Sequence, residues 1–220
     1  MQPNLRPRAV GASVIGFAVA AFASHAMVSE PPKADSTRQV IVDFLVAHHR
    51  GVTISAFADA LAVCLLVLGA VGLVKLSGAL DSVAGTVAIA GVTLSLGLTL
   101  VLDATIAAAA TVAHRGGGDP VTLFRFADAT NHFFAVPGVL FMVGLGLVLL
   151  RSGVVPAVFG GSGVALGVAR VAAGLGGLLS GSRADEALFI VSALWMVALG
   201  VTLIARQERR PVLAAEAAGS

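Results

Sequence analysis

The sequence predicts an all-α membrane protein, a bundle of six transmembrane helices that forms one domain over residues 1–220. Hydrophobic residues make up 57% of the chain and charged residues only 12%, whereas about 25% of residues are charged in a soluble domain. The apolar residues fall into six runs, and a helix needs about 20 such residues to cross the hydrocarbon core. They lack the alternation of membrane-barrel strands. The predicted spans are Val10–Val28, Val52–Val74, Val83–Ala113, Phe133–Leu150, Val154–Leu179 and Ala187–Ala205.

The first run has two interpretations. Arg6 and Arg8, an apolar stretch and then Ala21-Phe22-Ala23 resemble a secretory signal with its small-residue cleavage site. The apolar run continues to Val28, however, which gives about 19 residues, close to the length of a span. We therefore expect the first helix to be retained, with cleavage as the alternative.

The distribution of basic residues predicts the orientation. With six spans, the side that holds both termini carries seven bases and the other side six. Short cytoplasmic loops hold the excess Lys and Arg. The chain ends decide this narrow count, because Arg6 and Arg8 precede the first span and three arginines follow the last. We expect both termini in the cytoplasm and the protein in a bacterial inner membrane. The net charge of +2 is then a matter of topology, and no nucleic-acid partner is expected.

Two predicted outer loops contain signals of local structure. In the first loop, Pro31-Pro32 breaks the chain, and Ser36 precedes a short helix predicted from Thr37 to His48. The apolar face of this helix is expected either on the membrane surface or over the bundle. In the third loop, Gly116-Gly117-Gly118 ends a helix, and Asp119-Pro120 begins the next near Val121. Pro137 is expected to kink that helix.

Three charged residues lie inside predicted spans: Asp59, Asp103 and Arg170. A charge at the bilayer centre costs roughly 2.5–3.5 kcal/mol on insertion scales. Counted from the flanking charges at about 1.5 Å per residue, all three lie at a similar depth in the outer half of the membrane. They are therefore candidates for a common polar site.

The predicted helix faces support this grouping. Ser95, Thr99 and Asp103 are four residues apart and share a face. Arg170 lies within a stripe of small residues in the fifth helix, and small residues let helices approach closely, so we expect its side chain to point into the bundle. The stripe contains Gly160, Gly163, Gly167, Gly174, Gly177 and Gly181.

The fourth helix adds three further candidates. Asp128 and His132 are four residues apart, with Asn131 beside them. These residues belong either to the same site or to a separate cluster at the membrane interface. His132 is the only histidine that we expect inside the bundle.

Other residue types make an intramembrane enzyme the least favoured of three functional classes. No nucleophile–base pair, phosphate-binding loop, metal-ligand motif or cofactor motif is evident, so we expect no catalytic residue, metal or cofactor. Ser162 lies between two glycines but follows no strand, which argues against a nucleophile elbow. Cys64 is expected to be a small packing residue, and Trp195 is expected to fill packing space in the sixth helix.

The chain resembles a family of bacterial multi-helix integral membrane proteins that is defined only as a domain of unknown function. The resemblance rests on three short segments and implies topology and a retained first helix, but no activity. A tryptophan expected shortly after Pro156 is replaced by Ala157-Val158-Phe159. The matching segments are Pro31-Pro32 to His48-His49-Arg50, Asn131-His132-Phe133-Phe134 with Pro137, and Leu150-Arg151-Ser152-Gly153-Val154-Val155-Pro156.

The sequence leaves two functions open. Two acids and one base leave one negative charge, which must be protonated, hydrated or matched by a cation. The first hypothesis is a buried polar site, open toward the outer side, that binds or conducts a small ion, a proton or a lipid headgroup. The alternative is a structural or partner-binding subunit in which the charges only hold helices together. Expected partners are membrane lipids and either a second copy or another membrane protein.

Overall fold

The computed structural model describes residues 6–28, 30–180 and 184–218, and the side chains of residues 6–28, 30–174 and 187–206. The helices run in chain order from α1 to α8. Their bounds are α1 Pro7–Ala26, α2 Arg38–Ala47, α3 His49–Leu76, α4 Val83–Arg115, α5 Pro120–His132, α6 Ala135–Ser152, α7 Ala157–Ser180 and α8 Ala184–Ala218.

Six segments are long and apolar enough to cross a membrane, as the sequence predicts. The fourth of them combines α5 and α6, and α2 is not one of them. The outward faces of these helices carry exposed apolar side chains, for example Val19, Leu68 and Val168. Lipid tails can cover such surface, whereas a soluble monomer rarely exposes so much of it. The chain is therefore a multi-pass membrane protein.

The six spans form a closed ring in chain order. Helix α1 packs against α3, and the ring continues through α4, α6, α7 and α8 back to α1. Helices α3 and α6 also touch across the middle. A ring of this kind leaves space at its centre wherever the inward side chains are short.

One half of the ring is tightly packed. It is the half that contains the start of α1 and the ends of α3 and α6, where Val14, Leu73, Leu145 and Leu199 are at most 1% exposed. Glycine pairs bring the backbones together here. A Cβ atom at Gly146 on α6 would lie 2.7 Å from the carbonyl oxygen of Gly160 on α7. The interior of this half is therefore filled by side chains and closely packed backbone.

The other end of the bundle is covered by α2 and α5. Ile41 and Leu45 of α2 are fully buried against α4 and α5 residues that include Ala109 and Phe124. The apolar face of α2 therefore packs over the bundle, which decides between the two expected positions. The helix begins at Arg38, one residue later than predicted, so Thr37 and not Ser36 precedes it, and the Thr37 side chain makes no capping hydrogen bond.

Polar contacts also hold this cover in place. A guanidinium nitrogen of Arg38 lies 3.3 Å from a carboxylate oxygen of Asp119, and Nε of Arg125 donates to the carbonyl oxygen of Ala34 at 3.0 Å. Asp119 also accepts a hydrogen bond from the Thr122 hydroxyl, and together with Arg38 this bond lowers the pKa of the exposed carboxyl. The cover joins the segment between α1 and α2 to the segment around the start of α5.

The fourth span is interrupted, and the break lies earlier than expected. Helix α5 ends at His132 and α6 begins at Ala135, so the interruption precedes Pro137. Proline has no N–H, and its ring clashes with the carbonyl four residues before it, here that of Phe133. The Phe133 oxygen accepts instead from the N–H of Val136 at 3.1 Å, a tighter turn. Pro137 therefore disrupts the helix before it, and the interruption lies between His132 and Ala135 and not at the proline itself.

Two single-residue predictions have opposite outcomes. Trp195 is 8% exposed and packs on α7, where its Nε1 donates to Oγ of Ser162 at 2.9 Å. This confirms its packing role and gives Ser162 a structural partner. Cys64 is exposed on the outward face of α3, so its expected place in the packed interior is wrong.

Candidate functional site

A central cavity of about 480 Å³ occupies the half of the ring nearer α2 and α5. Asp59 of α3, Asp103 of α4 and Arg170 of α7 all line it. The three charges predicted to share a depth therefore share one cavity, although they come from three different spans.

Asp103 is the most buried of the charged residues in the cavity. The residue is 6% exposed, and its Oδ2 is buried with no hydrogen-bond partner among the described residues. Thr99 lies one helical turn before it, is also 6% exposed and lines the same cavity. Ser95 continues the polar face one turn deeper, as the four-residue spacing predicts. A buried acceptor without a partner is uncommon in a folded protein and calls for an explanation.

Asp59 has a partner that the sequence does not reveal. The hydroxyl of Ser24 on α1 donates to Oδ1 of Asp59 and also lies 2.8 Å from the carbonyl oxygen of Ala21. Because Ser24 is fully buried, this bond ties α1 to α3 beside the cavity. Asp59 and Asp103 lie close enough to interact electrostatically.

Arg170 enters the cavity beside α6, as its place in the glycine stripe predicts. A Cβ atom at Gly138 would lie 3.6 Å from Nε of Arg170 and 3.7 Å from its Cζ. The absence of a side chain at Gly138 thus lets the guanidinium group lie close to the α6 backbone. The predicted approach of α7 to α6 is confirmed nearby, since a Cβ at Gly167 would lie 2.8 Å from Cγ2 of Val143.

The remaining glycines of the stripe form two groups, three that make close contacts and two that lie outside the described side chains. Cβ atoms at Gly160, Gly163 and Gly174 would also meet neighbouring atoms within 3.1 Å. Gly177 and Gly181 lie outside the residues whose side chains are described.

Only one of the three candidate residues in the fourth span lines the cavity. Asn131 lines the cavity, whereas Asp128 and His132 are not among its lining residues. Nε2 of His132 instead lies 3.9 Å from Oδ2 of Asp128. This pair is therefore separate from the residues that line the cavity, and its position at the membrane interface stays a prediction.

A different histidine lines the cavity. His25, at the end of α1, stacks on Phe189 of α8 with ring centroids 5.0 Å apart and planes at 21°. The side chain of His25 is exposed although it lines the cavity, and His132, the histidine expected inside the bundle, does not line it. Sequence spacing gave no sign of His25, because its position depends on α1 packing against both α3 and α8.

Most of the remaining wall is apolar. Phenylalanine and methionine side chains also line the cavity, namely Phe17, Phe22, Phe134, Phe141, Phe189, Met142 and Met196. Within the described residues, no group of three or more His, Cys, Asp or Glu side chains could hold a metal ion. The arrangement is an apolar chamber with a few charged groups, the usual composition of a small-molecule site.

Comparisons with family models, curated proteins and solved structures found no match to this chain. The resemblance described from the sequence therefore stays a prediction, and the function rests on the site itself.

Proposed function

We propose that this multi-pass membrane protein binds a small positively charged species in its central cavity, either to conduct it or to hold it. The observation that best supports this proposal is the carboxylate of Asp103. It lines the cavity, and its buried Oδ2 has no hydrogen-bond partner among the described residues. A buried acid of this kind must take up a proton or a cation, because an isolated buried charge is costly. Asp59 adds a second carboxyl group to the cavity, whereas Arg170 adds a single guanidinium group. The three residues therefore carry one excess negative charge when both acids are ionised.

We also propose that the cavity faces the outer side of a bacterial inner membrane and that both termini are cytoplasmic. The excess of arginine at the chain ends supports this orientation.

The structural alternative has one observation in its favour. The bond from Ser24 to Asp59 joins α1 to α3, so at least one charged residue also holds helices together. A purely structural role, however, does not explain why a cavity lies beside the carboxyl group of Asp103.

Cation flux and cation binding distinguish the two functions. In proteoliposomes with an inside-negative potential, we expect protons or sodium ions to enter faster with the wild-type protein than with Asp103→Asn. In detergent, we expect at least one cation to raise the melting temperature of the wild type but not of the variant, because a ligand that binds only the folded state stabilises it. Asp81→Asn, an exposed acid near the start of α4, is the matched control.

Equal flux for the wild type and Asp103→Asn, together with no cation that stabilises one more than the other, would leave the charges with a structural role only. A protein that conducts no ion but is stabilised through Asp103 would be a binding protein.

A further inference from the structure

The cavity is large for an inorganic ion. Its volume of about 480 Å³ lies within the range of roughly 300–1,000 Å³ that is typical of pockets for organic molecules. A hard cation is usually held by several oxygen ligands arranged closely around it, and the described residues contain no group of three or more His, Cys, Asp or Glu side chains that could hold a metal ion. The size and the wall therefore favour a ligand with an apolar body.

The wall near the acids suits an organic cation. Phe17, Phe134, Phe141 and Phe189 line the same cavity as Asp103. Aromatic rings attract cations through their π faces, and this attraction is stronger where water is excluded. An ammonium group has three N–H donors, one of which can meet the carboxylate of Asp103, which lines the cavity.

We infer that the ligand is a protonated amine with an apolar body, and that its ammonium group binds the carboxylate of Asp103. This inference rests on the proposed function and names the chemical class of the cation. Oδ1 of Asp59 is held by the Ser24 hydroxyl, whereas Oδ2 of Asp103 has no hydrogen-bond partner among the described residues. The apolar body lies against the phenylalanine side chains, and Arg170 excludes a second positive group from its side of the cavity.

Two sources supply this chemistry, a free amine and the headgroup of phosphatidylethanolamine. Nanodiscs distinguish them. If the headgroup is the ligand, a soluble amine binds more weakly in phosphatidylethanolamine bilayers than in phosphatidylcholine bilayers, whose headgroup nitrogen has no N–H. If a free amine is the ligand, the two bilayers give the same affinity. Either result supports the inference once Asp103 is shown to be required.

The direct test is calorimetric titration of the purified protein with three compounds of similar shape: phenethylammonium, neutral 2-phenylethanol and anionic 3-phenylpropionate. We expect phenethylammonium to bind the wild type at least about tenfold more tightly than either analogue. Asp103→Asn should weaken phenethylammonium binding by about tenfold or more, and Asp81→Asn should leave it unchanged. The comparison of ligands on the wild type does not depend on the folding of any variant.

Three results would overturn the inference: equal binding of the neutral analogue, preference for the anion, or amine binding that Asp103→Asn leaves intact. If sodium or proton flux depends on Asp103 but no amine binds, the proposed function stands, and the inference that the ligand is a protonated amine is wrong. If neither flux nor any cation binding depends on Asp103, both fail.

Discussion

Replacing Arg170 with leucine is expected to destabilise the folded bundle by about 3–5 kcal/mol, the usual effect of removing one partner of a buried ionic group. The change leaves Asp59 and Asp103 in the cavity without the guanidinium group that shares it. We predict that Arg170 lies within about 6 Å of at least one of these carboxylates, a range at which opposite charges interact strongly. The free energy of unfolding in mixed micelles measures the loss.

A second substitution shows which acid Arg170 balances. Adding Asp59→Asn or Asp103→Asn to Arg170→Leu should recover part of the stability, because each removes an uncompensated charge. Recovery by only one of them identifies the partner. Arg115→Leu, at the exposed end of α4, should change stability by no more than about 0.5 kcal/mol. A mild effect of Arg170→Leu with no recovery would show that the three charges do not form one site.

Replacing Gly167 with leucine is expected to destabilise the bundle by about 3 kcal/mol, because overpacking of a close contact forces the helices apart. Even a Cβ atom there would lie 3.2 Å from the backbone nitrogen of Val143, and leucine adds three more carbon atoms. Thermal unfolding in detergent measures the change.

Gly161 provides a matched control on the same helix. It is exposed, and a Cβ there would meet nothing within 4 Å. Gly161→Leu should therefore be neutral or slightly stabilising, since leucine favours helix over glycine by roughly 0.5–1 kcal/mol. Equal melting temperatures for Gly161→Leu and Gly167→Leu would contradict the packing of α7 on α6, and with it the position of Arg170.

Sequence patterns predict the local features of this fold well. Run length gave the six spans, glycine and proline gave the start of α5, and four-residue spacing gave the face that joins Thr99 to Asp103. Each of these depends on a single helix or turn, so the chain itself carries the signal.

Features that depend on helix arrangement were not predictable in this way. The bond from Ser24 to Asp59 and the position of His25 require α1 to lie between α3 and α8, which no spacing encodes. The spacing of Asp128 and His132 does not decide between the site and a separate cluster. The break before Ala135 changes the relation between α5 and α6, and only Asn131 of that group lines the cavity.

The central claim is a cavity that opens to water on the outer side. The most direct test labels single cysteines in a Cys64→Ala background with a membrane-impermeant thiol reagent. Ser95→Cys lines the cavity, whereas Leu94→Cys lies at the same depth on the exposed outward face. Gly117→Cys and Lys75→Cys report the two ends of the bundle. With reagent added outside, we expect Ser95→Cys and Gly117→Cys to react and Leu94→Cys and Lys75→Cys to be protected. Protection of Ser95→Cys from both sides of the membrane would contradict the account.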